Sequence, residues 1–190
     1  MLNRAVRTAL CAGALLLALC LPASAAQEGD FSVLVNGEAV TFTDAAPLLK
    51  DGRSFLPMVE TFYQSDAVDH PVEREILERS FQAAVDPGEP LLRGILVYQG
   101  QEPAGYIYVT QCYSAEVGGR CVFIEEIFLA APFRGQGLGR EIMAWLEREY
   151  PAARRFRLEV TQINQGAIRL YEKSGYQYLR YDQMVLDKIK

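Results

Sequence analysis

Residues 121–141, CVFIEEIFLAAPFRGQGLGRE, leave this chain few ways to fold. An apolar, β-rich run at 121–129 enters a turn with glycines at 135, 137 and 139. The turn opens into GLGREIMAWLEREY (137–150), where Leu138, Ile142, Trp145 and Leu146 form one apolar stripe at helical spacing. A strand feeding a helix through such a turn belongs to a layered α/β sheet. The first amides of a helix have no intrahelical partner and sit at the positive end of its dipole, so the turn is suited to hold a phosphate.

The rest of the sequence supplies the other layers. PMVETFYQ (57–64) and VEREILERSFQAAV (72–85) read as helices; the second carries Ile76, Leu77, Phe81 and Ala84 on one face and stops at Asp86-Pro87-Gly88. LLRGILVYQ (91–99), AGYIYVTQCYS (104–114) and RCVFIEEIFLA (120–130) read as three strands of a meander. Pro151 ends the helix over 137–150, and RRFRLEV (154–160) is expected as a strand buried behind it. Asn164 is a good N-cap for a helix over 165–173, closed by Lys173 and Gly175. YQYLRYDQMVLDKI (176–189) is expected to add one or two final strands. The fold class is therefore α/β, a mixed sheet with the glycine turn at its centre.

Two segments precede this domain. FSVLV-NG-EAVTF (31–43) predicts a β-hairpin, since both central residues of the Asn36-Gly37 turn need positive φ. A second turn follows at Asp51-Gly52. Before the hairpin, Arg4 and Arg7 precede an apolar run over 9–21 and then Ala23-Ser24-Ala25, the pattern of a cleaved secretory leader. The apolar run is 13 residues, short for a bilayer core of about 30 Å, so no stable membrane span is expected after cleavage. The expected divisions are a signal peptide at 1–25, a β-hairpin segment at 26–56 and a main domain at 57–190. This leader implies an exported or cell-envelope protein; a mis-assigned start would leave it cytoplasmic. Cleavage would change the net charge from -5 to -7 and leave only Cys112 and Cys121 of four cysteines. Those two flank the turn SAEVGG (114–119) and would bridge adjacent strands if the register sets them opposite; otherwise they are two half-buried thiols.

Three phosphate readings compete for the glycine turn. A nucleoside-triphosphate loop ends in G-K-[ST], but Gly139 is followed by Arg140-Glu141. A dinucleotide fingerprint from Gly135 and Gly137 needs a third glycine at position 140, which is arginine. The third reading is R-x-x-G-x-G, met by Arg134, Gly137 and Gly139. With the preceding IEEIFLAAPF and the downstream LEVTQINQGAIRLYEKSGYQ (158–177), it resembles the two signatures of the GCN5-related N-acetyltransferase (GNAT) superfamily, over about residues 57–190. Separately, VNGEAVTF, Pro47 and DGRSFLPM give residues 32–58 a loose resemblance to the copper amine oxidase-like N-terminal domain; no copper chemistry follows from it.

The GNAT resemblance implies a centrally splayed sheet flanked by helices, with the hairpin as an N-terminal extension, and acetyl-CoA as co-substrate. Its pyrophosphate would rest on the amides of Gln136 to Arg140, beside Arg134, Gly135, Leu138 and Gly139, with Gly137 and Gly139 allowing close approach. Ile127, Phe128 and Leu129 would offer backbone groups to the pantetheine arm. Asn164 would bond the same arm, or simply cap its helix. Tyr171 would protonate the departing thiolate, or fill the buried stripe with Ala167 and Leu170; a phenol can do both. Acyl transfer also needs a neutral amine. Glu125 is the expected base and Glu126 the second acid, on opposite faces of one strand because they are adjacent.

Composition narrows the alternatives. The chain has no Lys/Arg-rich run, which argues against nucleic acid. His70 is the only histidine, which argues against a Ser-His-Asp hydrolase and against a metal cluster. Ser65, Asp66, Asp69 and His70 would line an acceptor pocket or merely close a loop. The expected partner is a small-molecule or peptide amine, polyamine-like among the choices, and a homodimer stays open. The rival reading is an exported domain that keeps this fold and binds without turnover.

Overall fold

The computed structural model describes residues 33–45, 55–68 and 70–188. The predicted leader, Pro47, the Asp51-Gly52 turn and Asp69 lie outside these residues. In chain order the elements are β1 (Val33–Val35), β2 (Glu38–Asp44), α1 (Leu56–Tyr63), α2 (Arg74–Val85), β3 (Leu92–Gln99), β4 (Glu102–Ser114) and β5 (Gly119–Leu129), then α3 (Leu138–Glu149), β6 (Ala153–Leu158) and α4 (Gln165–Lys173). A short 3₁₀ turn, Ala131–Phe133, joins β5 to the glycines before α3. The six strands form one sheet in sequence order. Neighbours are antiparallel except β5 and β6, which are parallel because α3 carries the chain back between them.

Side-chain alternation along the strands builds a core on each face. Ile95, Val97, Ile107, Val109, Val122 and Ile124 pack against Leu138, Ile142, Met143 and Leu146 of α3, with Leu170 and Tyr171 of α4 at the margin. Leu96, Tyr106, Tyr108 and Phe128 point the other way, onto Val59 and Phe62 of α1 and Leu77, Phe81, Ala84 and Val85 of α2. Truncating one large apolar side chain of the buried α3 stripe costs about 2–5 kcal/mol by cavity formation.

The N-terminal hairpin is part of the same sheet. β2 pairs with β3 from Val40–Gln99 to Asp44–Ile95. Phe42 stacks on Trp145 of α3 at 4.6 Å. Arg93 ties this corner together, donating to Asp44 at 2.6 Å, Glu149 at 2.7 Å and Tyr150 Oη at 3.0 Å.

Two expectations fail. Residues 176–188 form no strand, and Tyr181, Met184, Val185 and Leu186 are exposed. Alternating sequence predicts a face, but a strand also needs a partner ladder, and none engages this segment. For the same reason β6 is half-buried rather than buried: it pairs only with β5 and ends at Leu158.

At Gly105 β4 runs against β5 so closely that an added Cβ would lie 2.0 Å from the Phe128 carbonyl oxygen. Gly105→Ala should therefore force the strands apart and cost about 3 kcal/mol or more, read from the denaturant midpoint, with Ala104→Gly as a milder comparison.

Candidate active site

One extra residue determines where the carboxylates point. Tyr108 faces Glu126 and Val109 faces Ile124, so Glu125 is inserted into β5 as a bulge. Simple alternation would place Glu125 and Glu126 on opposite faces; the bulge puts both on the face that carries α1 and α2. Glu126 accepts from Tyr63 Oη at 2.8 Å and from Tyr106 Oη at 2.5 Å, while Glu125 accepts from Thr110 Oγ1 at 2.7 Å. Tyr106 and Thr110 share that face of β4.

Glu126 is 7 % exposed. Burial holds its carboxyl above the usual carboxylate range, and the Glu125 charge adds to the effect, although the two phenol bonds favour the anion. Burial, followed by the Glu126 charge, also lifts Tyr63, Tyr106 and Tyr108 above the ordinary phenol value. The Tyr108 hydroxyl is buried without a hydrogen-bond partner in the described structure.

The same bulge marks the place where the sheet opens. Pairing between β5 and β6 stops at Ile124–Leu158, yet β5 continues to Leu129 while still paired with β4. Glu125 to Leu129, including Ile127 and Phe128, thus present one strand edge with no partner among the described residues. The edge leads to the glycine turn. Arg134 folds back there, its Nε donating to the Leu129 carbonyl at 2.7 Å and its guanidinium lying 5.6 Å from the Phe128 ring centre.

In the turn, Gly137 has φ 102°, a left-handed conformation suited to glycine, and serves as N-cap of α3. The amides of Gln136, Gly137, Leu138 and Gly139 meet no backbone carbonyl among the described residues. That of Arg140 already donates to Gly137 at 3.0 Å, so the predicted row of free amides is one shorter. Gly139 serves packing: a Cβ there would lie 2.8 Å from Leu170 Cδ2 of α4. Leu138 is buried and anchors the turn in the core. Gln136 is held by three bonds, donating to the Pro132 carbonyl at 2.6 Å and accepting from Asn36 at 2.7 Å and Gln99 at 3.3 Å. The tip of the N-terminal hairpin therefore rests on the glycine turn.

The other predicted residues are more dispersed. Asn164 caps α4, its side chain accepting from the Ala167 amide at 3.1 Å. Tyr171 packs 6.0 Å from Tyr176, and burial pushes its hydroxyl up to about 12. It lines a cavity of about 640 Å³ between β6, α4 and residues 174–183. A second cavity, about 560 Å³, lies between α1 and the end of β5, with Met58, Thr61, Ser65, Phe128 and Arg134 in its wall. Neither cavity is lined by Glu125 or Glu126. Of the loop residues, Ser65 faces the second cavity, the Asp66 carbonyl accepts from Thr161 Oγ1 at 2.6 Å, and His70 is exposed. Among the described residues no group of three or more His, Cys, Asp or Glu is placed to hold a metal, and no helix is long and apolar enough to cross a membrane.

Sequence reasoning missed Tyr63, Tyr106, Tyr108 and Thr110 around the carboxylates. The Tyr-x-Tyr spacing at 106–108 gave one signal, since it puts both rings on one face. Nothing local marked Tyr63 or Gln99.

This architecture has clear counterparts. The acetyltransferase (GNAT) family model matches residues 56–176, and the chain belongs to that family. Its chemistry is accordingly acyl transfer. No curated protein matches by sequence. A possible acetyltransferase from Clostridium difficile 630 superposes with a TM-score of 0.64 at 13% identity, covering 80% of this chain and 99% of that one. Ribosomal-protein-alanine N-acetyltransferase from Brucella melitensis biovar Abortus 2308 gives 0.60 at 15% identity, over 78% and 98%. Aminoglycoside N-acetyltransferase AAC(6')-Iy, solved in complex with CoA, gives 0.61 at 11% identity, over 83% and 100%. At these identities the likeness is one of fold.

The buried carboxyl has a pH signature. Because its folded-state pKa is raised, Glu126 binds its proton more tightly folded than unfolded. Its stabilising contribution is full below the ordinary carboxylate value and is lost as pH rises through the folded value. Glu126→Gln removes the titration and keeps an acceptor for the phenols. Denaturant midpoints measured from about pH 4 to about pH 8 should move in favour of the variant as pH rises. Glu126→Leu, which strands two phenol hydroxyls, should cost about 2–3 kcal/mol at low pH.

Proposed function

We propose that the chain is an acetyl-CoA-dependent N-acetyltransferase, passing the acetyl group directly to an amine of a small molecule, polyamine-like ones included, or of a peptide. The observation that carries this reading is the continuous path from the open edge of β5 at 125–129 into the unengaged amides of 136–139. The edge suits the amide groups of a pantetheine arm, and the turn suits a pyrophosphate. The complex of AAC(6')-Iy with CoA supports the choice of cofactor.

When bound, acetyl-CoA supplies an acyl thioester. The chain's own residues do the rest. Leu138 and Gln136 hold the turn, and Asn164 fixes the start of α4. Glu125, accessible where the strands part and steadied by Thr110, accepts the amine's proton directly or through water. Glu126 keeps a second acid behind it. Tyr171, whose hydroxyl stays protonated at neutral pH, gives a proton to the departing sulfur. The likeness of residues 32–58 to the copper amine oxidase-like domain adds no copper chemistry; its described part supplies an edge hairpin. Residues 1–25 we read as a secretory leader, testable by N-terminal sequencing and fractionation of the native protein.

The test is a CoA thermal shift followed by thioester turnover over an amine panel. Tyr171→Phe should lower kcat about 10²-fold while CoA protection persists. Protection without turnover on any amine would favour the binding-module rival, and loss of both overturns the proposal. Asn36→Ala, which removes one of the three bonds that hold Gln136, should raise KM for acetyl-CoA about 5-fold and leave KM for acetyl-pantetheine, which lacks the pyrophosphate, unchanged.

A further inference from the structure

Cys112 and Cys121 lie directly opposite one another on β4 and β5, with Tyr113–Arg120 and Ser114–Gly119 completing the ladder to the turn. Directly opposed residues of an antiparallel pair have Cα atoms about 4.5 or 5.5 Å apart, and both spacings lie within the range a disulfide spans. Both side chains fall on one face, because directly opposed residues of neighbouring strands point the same way. They differ in access: Cys112 is exposed and Cys121 is 1 % exposed. Burial, then the neighbouring Cys112, hold the Cys121 thiol above its ordinary value, and Arg157 and Arg155, the latter paired with Cys121 across the parallel strands, partly offset this.

We propose that Cys112 and Cys121 form an oxidisable pair, a built-in disulfide site that staples the β4–β5 hairpin. The oxidant is a disulfide, of a small thiol or of a protein. The Cys112 thiolate attacks one of its sulfurs, releasing one thiol and leaving a mixed disulfide at the surface. The Cys121 thiolate then displaces the second thiol and closes the protein's own S–S bond. The two protein thiols lose two electrons and two protons, which leave on the two released thiols. An exposed entry thiol beside a buried resolving thiol is the arrangement this sequence of steps needs. The bridge closes the segment 112–121, whose turn carries Glu116, the partner of both Arg155 and Tyr181. Oxidation therefore fixes the closed end of the meander, at the opposite end of β5 from the edge at 125–129.

The full-length reduced protein is titrated with oxidised and reduced glutathione at set ratios, and products are mapped as peptides under non-reducing conditions. The expected product is a Cys112–Cys121 cross-linked peptide, distinct from any involving Cys11 or Cys20, with Tm raised by roughly 5–10 °C. Cys112→Ser, a change at an exposed position, should abolish both the cross-link and the shift while the variant keeps the reduced protein's Tm. Glutathione retained on Cys112 without an internal bridge, or two thiols that stay reduced at oxidising ratios, overturns the proposal.

Discussion

A parallel pair of strands that stops pairing halfway is the condition on which this architecture rests. β5 and β6 stay together as far as Ile124 and Leu158, and then β5 takes in the extra residue Glu125. A bulge bends its strand and increases the local twist. Here it separates a closed half of the sheet, held by strand pairing on both sides of β5 and a common core, from an open half that presents backbone to one side. The 3₁₀ turn and the glycines follow immediately, so the opening and the anion-suited helix end are consecutive parts of one segment. Gly105 makes the arrangement possible from the other side, because only a residue without a Cβ lets β4 keep its grip where β5 is no longer supported by β6.

The bulge also concentrates charge. Two carboxylates share one face, one open to solvent and one enclosed by phenols. Enclosure costs Glu126 its hydration, and two short hydrogen bonds from Tyr63 and Tyr106 compensate in part. Tyr63 comes from α1 and Tyr106 from β4, so the acid is also a point where the helical layer meets the sheet. A polar cluster of this kind specifies packing, since a displaced α1 would leave buried hydroxyls unsatisfied.

Much of this was legible in the residues, and the failures are informative. Asn36-Gly37, the meander, the α3 stripe and the Asn164 cap are local signals, and each element lies where its signal pointed. The glycine motif, joined to INQGAIRLYEKSGY, identified the family because two separated patterns agreed. The orientation of Glu125 and Glu126 was not legible: a bulge is a mismatch between two strands, and neither strand's sequence announces it. The end of β6 and the unpaired course of 176–188 depend likewise on a partner's register. Gly139 also packs against Leu170, a contact that only the meeting of two helices reveals.

Asn36 and Gln136 are 100 residues apart in the chain and joined by one hydrogen bond. Gln99, itself bonded to the Val35 carbonyl, completes the link between the hairpin and the turn. Such a contact works in both directions. Whatever loosens the docking of the hairpin loosens the glycine turn, and whatever tightens the turn must, by the same free energy, tighten the hairpin. The hairpin strands β1 and β2 are in this sense thermodynamic reporters of events at a helix end encoded a hundred residues later.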